Sequence, residues 1–327
     1  MKKTKRYKEI FFVVLFLVFV VSLISIFGLA ERIINRINEI SDSLHYTDTG
    51  KSQFYYGGDK YSLNSDVESI LVMGIDSIET SDKSSSESHQ ADFIALIVMD
   101  KLDNTYSILH LNRDTMTEIK QTDDAGNEYG TFVAQLALAH TYGVDGKFRC
   151  RNTVKAVENL LYNISIDHYV SFTMDAIPTI NDAVGGVTVT LAEDILSIGE
   201  DFVKGAKITL DGDQALAFVR YRDDSATTSN LARMERQRQY ITALSQQYEG
   251  VSVDSLVEML ADISEYLVSD CTANQISLLA ERLQEYTYEG TLTLEGEAVK
   301  NDIYVEYYID DAAAQKIVVD LFYEIEE

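Results

Sequence analysis

Positive charge is scarce in this chain. Lysine and arginine number 27 against 53 aspartates and glutamates, a formal net charge of -26. A surface of that sign repels phosphodiester backbones, which argues against nucleic acid as a partner. Cysteine is nearly absent too, with Cys150 and Cys271 the only two. Neither stands in a C-x-x-C pair or beside a suitable base, which argues against zinc binding and thiol catalysis. The two permit one disulfide or two separate thiols, and their spacing does not choose between these. Missing as well are G-x-S-x-G, H-E-x-x-H, a Walker loop and a Rossmann glycine fingerprint, so four common chemistries lack their residues. The five histidines are scattered, and His110 and His168 lie in apolar runs and read as core residues.

What is present begins with a charged tail and a long apolar run. Lys2, Lys3, Lys5, Arg6 and Lys8 precede Ile10 to Ala30, 21 residues without a charge. As a helix that run spans about 31 Å, the thickness of a bilayer core. The basic flank places the N-terminus in the cytoplasm and the rest of the chain outside, as a single-pass protein of the cell membrane. The run is longer than a signal-peptide core, so a retained transmembrane helix is expected over 10–30, after a cytoplasmic tail over 1–9. Setting the five basic residues and Glu9 aside leaves a charge of -30 on residues 10 to 327. A basic cleft in such a shell would stand out.

Ile33, Ile37, Ile40 and Leu44 recur at helical spacing and suggest a short stem, and Gly57, Gly58 and the polar residues to Asp66 read as a linker. The stem and linker therefore cover 31–65 and one extracytoplasmic domain covers 66–327, with a motif core over 69–244 and a helical extension over 245–327. Ser69 to Ile75, Phe93 to Met99 and Tyr106 to Asn112 are short branched apolar runs that predict buried strands. Helical periods follow over Phe132 to Tyr142, Asn152 to Leu161, Ala176 to Val184, Leu231 to Tyr248, Ser255 to Leu267 and Ala273 to Tyr286, with a closing strand near Tyr304 to Ile309. The expected fold is an α/β, three-layer α/β/α domain with a mixed central sheet.

Two groups of residues carry chemistry. Asp76 ends one predicted strand and Asp92 opens the next, across a serine-rich loop over 77–90. Two carboxylates at one sheet edge suit Mg²⁺, although each also suits a simple turn cap. Arg113 and Asp114 end the third strand, where a salt bridge alone would account for them. Then comes a concentration of cations in an acidic protein: Arg220, Arg222, Arg233 and Arg236, with Gln237. Ala217 to Arg222 reads as a strand whose period of two puts Arg220 and Arg222 on one face. On the following helix Arg233, Arg236, Gln237 and Tyr240 share a face. Guanidinium forks gathered this way predict an anion site, phosphate above all.

The motif order resembles the LytR-CpsA-Psr family of membrane-anchored enzymes of Gram-positive cell walls. The matching pieces are ILVMGIDS (70–77), ADFIALIVMD (91–100), ILHLNRDTM (108–116), ALAHTYG (137–143), SIDHYVSFTMDAIPTINDAVGGVTV (165–189) and LDGDQALAFVRYRDDS with NLARMERQRQ (210–239). The resemblance implies a Mg²⁺-dependent phosphotransferase that moves an anionic glycopolymer, such as a teichoic acid or capsular polysaccharide, from a polyprenyl-pyrophosphate carrier onto peptidoglycan. It assigns Asp76 and Asp92 to the metal and to catalysis with Arg113, and assigns Arg113, Arg220, Arg222, Arg233 and Gln237 to the pyrophosphate. It also implies an apolar slot for the carrier, for which Phe132, Val133, Leu136, Leu138, Leu160, Leu161 and Val170 are candidates. Gln90 stands where many members have arginine, and Asn112 where many have proline. Two rivals remain: a lipid-pyrophosphate hydrolase with the same residues, and a non-enzymatic polymer-binding or regulatory wall protein.

Overall fold

The computed structural model describes residues 53–75, 89–123, 125–221, 229–248, 253–301 and 304–326. The expected membrane segment over 10–30 and the helical part of the stem lie outside the described residues, as do Asp76 and Arg222. No helix among the described residues is long and apolar enough to cross a membrane.

Six strands form the central sheet: β1 (Val67–Ile75), β2 (Ala91–Asp100), β3 (Thr105–Leu111), β4 (His168–Thr173), β5 (Leu267–Ser269) and β6 (Thr287–Thr293). Their spatial order is β5-β4-β1-β2-β3-β6. β1 runs antiparallel to β2 and parallel to β4, and β3 runs antiparallel to β2 and parallel to β6, so the sheet is mixed. β1 and β2 are rich in Val, Ile, Leu and Met, and β3 is buried along most of its length, because both faces are covered.

Seven helices are described: α1 (Gly146–Leu160), α2 (Ile177–Ala183), α3 (Gly212–Arg220), α4 (Ser229–Tyr248), α5 (Val253–Asp262), α6 (Ala273–Glu285) and α7 (Asp311–Phe322). Strand alternation sorts them onto two faces. Ile70, Ala95 and Ile108 pack with Ile241 of α4 and Leu279 of α6. The intervening Leu71, Leu96 and Leu109 point the other way and are fully buried. α1 covers that second face, since Cys150 bonds to Ser171, the neighbour of Val170 on β4. Each fully buried leucine contributes about 1.5–3 kcal/mol of transfer free energy.

Four expectations change. The extension over 245–327 is not helical throughout: the helix expected to reach Leu267 ends at Asp262, and the segment supplies β5 and β6 to the central sheet. Gly57 and Gly58, read as a linker, adopt φ of +64° and +98° and turn a hairpin of Gln53–Tyr56 with Asp59–Leu63. Its second strand pairs with Tyr323–Ile325, so this segment is tied to the domain's last strand. Phe132 to Tyr142 is not one helix: Glu128–Gln135 is a strand paired with Met116–Thr122, and a 3-10 helix follows over Leu136–Thr141. The largest change is Ala217 to Arg222, predicted as a strand. Residues 212–220 are helix α3, because Asp211 and Gln214 form a reciprocal capping box that starts it. Ala215, Phe218 and Val219 then fall at helical spacing and are all buried.

Candidate active site

The sheet edge where β2 begins and β3 ends carries the site. Gly74 pairs with Phe93 and Ile75 with Ala91, so Asp92 is an extra residue with no cross-strand partner, the signature of a β-bulge. A bulge turns a side chain off the strict alternation of a strand. Gly74 belongs to this device, since a Cβ there would stand 3.0 Å from the Phe93 Cβ.

Asp92 forms ion pairs with two cations. Arg113 is in direct contact with it, and the Arg233 Nη2 lies 3.5 Å from its Oδ1. Arg113 follows β3 in a tight turn: the Asn112 Oδ1 accepts from the Asp114 backbone N–H at 2.9 Å, and the Asn112 carbonyl accepts from Thr115 at 3.0 Å. Asp114, 7% exposed, is the anchor beneath. It accepts from the Gln135 Nε2 at 3.0 Å and closely from the Asn230 Nδ2, and its Oδ1 lies 3.4 Å from the Arg113 Nε. The other edge of the Asn230 amide accepts from the Arg233 Nη2 at 2.9 Å, so one side chain holds a carboxylate and a guanidinium together. Arg113 also donates to Gln90, so the neutral residue in that position contacts the cluster directly.

The remaining candidates separate. Arg233 and Gln237 are adjacent on α4, one turn apart, and both are buried. The Gln237 Nε2 donates to the Val219 carbonyl at 3.4 Å, while its buried Oε1 has no partner among the described residues. Arg236 turns away, pairing closely with Glu193 and lying 4.9 Å over the Tyr221 ring. Arg220 is exposed at the last turn of α3, not on a strand face with Arg222. Asp76 and Arg222 lie outside the described residues, but Ile75, the residue before Asp76, pairs with Ala91, the residue before Asp92. Asn230 and Gln135 were not singled out in the sequence. The only signal for Asn230 was its place three residues before Arg233 on one helix face.

An apolar cavity of about 210 Å³ opens beside this cluster, between the sheet and helices α2 and α4. Val72, Phe93, Ala95, Phe172, Ile180 and Leu244 contribute to its walls, and Gln237 is a polar part of its lining. None of the seven residues proposed for a slot lines it. Leu160 and Leu161 belong to the end of α1 on the opposite face of the sheet, and Val133 is exposed. Tyr240 also lines the cavity and donates to the Asn181 Oδ1 at 3.3 Å; burial, helped by the nearby Asp182, pushes its phenol well above the usual range, so it remains a donor.

With the arginine–carboxylate cluster and the apolar cavity described, comparison with known proteins supplies the family. The LytR_cpsA_psr family model matches residues 33–321. The chain belongs to the LytR_cpsA_psr family. A protein of Enterococcus faecalis named polyisoprenyl-teichoic acid--peptidoglycan teichoic acid transferase TagU is 28% identical over 272 residues, 82% of each chain. A protein of the same name from Halalkalibacterium halodurans is 33% identical over 181 residues, 55% of this chain and 52% of its own. Among solved structures, B. subtilis TagV shares the fold with a TM-score of 0.61 at 23% identity, over 79% of this chain and 97% of that one. A structure of TagT bound to LI-WTA matches at a TM-score of 0.60 and 22% identity, over 79% and 90% of the two chains.

Proposed function

We propose that this LytR_cpsA_psr protein is a cell-wall glycopolymer transferase that takes a polymer such as a teichoic acid from a polyprenyl-pyrophosphate carrier and attaches it to peptidoglycan. The observation that carries the reading is the run of α4 from Arg233 to Gln237 to Leu244, which passes from the ion-paired cluster into the apolar cavity. A lipid pyrophosphate has the same order of parts. Its diphosphate suits Arg113 and Arg233, with Arg220 and Arg222 as further cations, and its first isoprene units suit the cavity. A Gln237 amide turned by half a rotation presents its NH₂ to a phosphate oxygen. A protein that only bound anionic polymer would have no use for an apolar cavity at this place, so the enzyme is the better reading.

Chemically, an acceptor hydroxyl oxygen attacks the polymer-proximal phosphorus. A P–O bond forms to the acceptor, the P–O bond to the lipid phosphate breaks, and polyprenyl phosphate leaves. The hydroxyl proton passes to a carboxylate, Asp92 or Asp76. Charge accumulates on the leaving oxygen, and preorganised guanidiniums stabilise it there. Asn230 and Asp114 hold those guanidiniums in place, so positioning costs little at the moment of reaction.

Mg²⁺ fits the residues in kind: Asp92 offers hard carboxylate oxygens at the sheet edge, and Asp76 is the proposed second donor. When bound it would neutralise pyrophosphate oxygens. The deciding experiment incubates the full-length protein in detergent with a synthetic polyprenyl-pyrophosphate disaccharide, Mg²⁺ and peptidoglycan oligomers, with products read by mass spectrometry. The expected product is disaccharide phosphate joined to glycan, absent with Asp92→Ala or without Mg²⁺. Free sugar phosphate alone would replace the transferase with the hydrolase, and no turnover with tight donor binding would leave a binding protein.

A further inference from the structure

α4 has a second flank. On a different face of α4 from the one lining the apolar cavity, a pocket of about 140 Å³ with mixed polar and apolar walls lies between α4 and the ends of β3 and β6. His110 and Asn112 come from the strand side, Glu235 and Arg238 from the helix, and Leu294 and Tyr307 from the segments after β6. His110 is 1% exposed, and its Nδ1 has no hydrogen-bond partner among the described residues. A buried polar atom left unsatisfied in a native fold calls for a ligand or a water.

The pocket is mechanically part of the active site. The Asn112 Oδ1 lies 3.4 Å from the Asn230 Nδ2, and Asn230 in turn holds Arg233 and Asp114. The Tyr307 backbone N–H donates to the Asp114 carbonyl at 2.9 Å. Yet its charge differs from that of the cluster. Arg238 donates through Nε to the Glu235 Oε2 at 2.8 Å and through Nη2 to Oε1, so its charge is cancelled within the pocket wall. Burial, with Arg238 nearby, lowers His110 to about 4, which keeps the imidazole neutral at physiological pH. An anionic polymer gains nothing in such a pocket. A neutral polyol gains hydrogen bonds to the imidazole and amide, and its apolar ring face meets Leu294 and Tyr307.

We infer that this pocket binds an uncharged sugar unit of the acceptor glycan, so that the lipid-linked donor and the acceptor reach the arginine–carboxylate cluster along different faces of α4. The inference rests on the transferase reading and adds where its acceptor sits. Such separation explains how the site offers an attacking hydroxyl without crossing the carrier.

Thr293 allows a clean test, because it is exposed and pairs with His110 in the parallel register of β6 and β3. Thr293→Trp in the full-length protein should fill the pocket from its rim without touching the cluster. First, chitotetraose is added and binding is read by saturation-transfer NMR, which needs no turnover. The unsubstituted protein should bind the tetrasaccharide, and both Thr293→Trp and His110→Phe should lose most of the signal. Then transfer kinetics should show the acceptor KM of Thr293→Trp raised about tenfold or more, with donor affinity and saturating kcat within about twofold. Absence of tetrasaccharide binding to the unsubstituted protein would overturn the inference, as would an unchanged acceptor KM in a folded Thr293→Trp protein. A donor affinity that falls instead would assign the pocket to the donor's polymer and overturn it too. If no acceptor is ever modified, the transferase reading fails, and the NMR result still decides whether the pocket takes a neutral sugar.

Discussion

Asp114 is the buried point on which the cluster rests, and removing its charge tests the whole arrangement. In Asp114→Asn the side chain keeps its shape, but Arg113, Gln135 and Asn230 all present donors to it. An amide presents an NH₂ group to at least one of them and leaves the Arg113 charge with less compensation. Breaking a buried pair by removing one partner costs about 3–5 kcal/mol. Retention of some hydrogen bonds puts the expected loss at the lower end, about 3 kcal/mol. For a domain of this size each kcal/mol moves the midpoint by about 2–4 °C, so Tm should fall by roughly 6–12 °C. Differential scanning calorimetry of the full-length protein in detergent measures it. A double-mutant cycle with Gln135→Ala should be non-additive, because both substitutions remove one contact. A Tm within about 1 °C of the parent would refute the claim that Asp114 anchors the site, and additive losses would separate Gln135 from it.

Three further outcomes follow from the geometry. Leu244→Trp, which places a ring in the apolar cavity, should weaken binding of a long-chain polyprenyl-pyrophosphate about tenfold or more, at about 0.8 kcal/mol per displaced methylene, and leave a short-chain donor unaffected; equal losses for both would count against the cavity as the lipid site. His110 and His140 are buried and lowered by desolvation to about 4, so the unfolded chain takes up protons near 6.5 before the folded one does. Stability is therefore present above pH 6.5 and is lost as pH falls toward 4, by about 3 kcal/mol per histidine, and a Tm that does not change from pH 7 to 4.5 would contradict the buried neutral state. Both cysteines are free thiols; burial pushes Cys150 up to about 12 and raises Cys271 less. Native labelling at pH 8 should therefore modify only Cys271, with Cys150 reacting after denaturation.

The strands were legible because β1, β2 and β3 are short branched runs with turns between them, and most helices were legible from their periodicity. Ala217 to Arg222 misled because a short apolar run fits either period, and the deciding signal lay upstream in the cap formed by Asp211 and Gln214. At the candidate site, Asp92, Arg113 and Arg233 stand out by charge and order and the structure brings them together with Gln237 one turn along α4, whereas Arg236, grouped with them by helical spacing, pairs with Glu193. The contacts of Asn230 and Gln135 with Asp114 depend on the tertiary fold, and the exposure of Arg220 follows from helix α3 rather than the expected strand. Most residues chosen for the apolar slot lie off the face that carries the cavity, and Val170 shares that face without lining it, because alternation tells which side chains share a face but not which helix covers it. Three of the cavity's wall residues, Phe93, Ala95 and Ile97, lie two apart on a strand already recognised.

The spacing along α4 acts as a ruler. Four residues separate Arg233 from Gln237, about 6 Å of helix rise, and Gln237 is where the helix reaches the lining of the cavity. On the proposed function, a rod of fixed pitch would measure the linkage in a lipid-linked substrate and take no notice of what hangs from its far end. Such a protein can change its cargo by altering surface loops while the reacting bond stays in register.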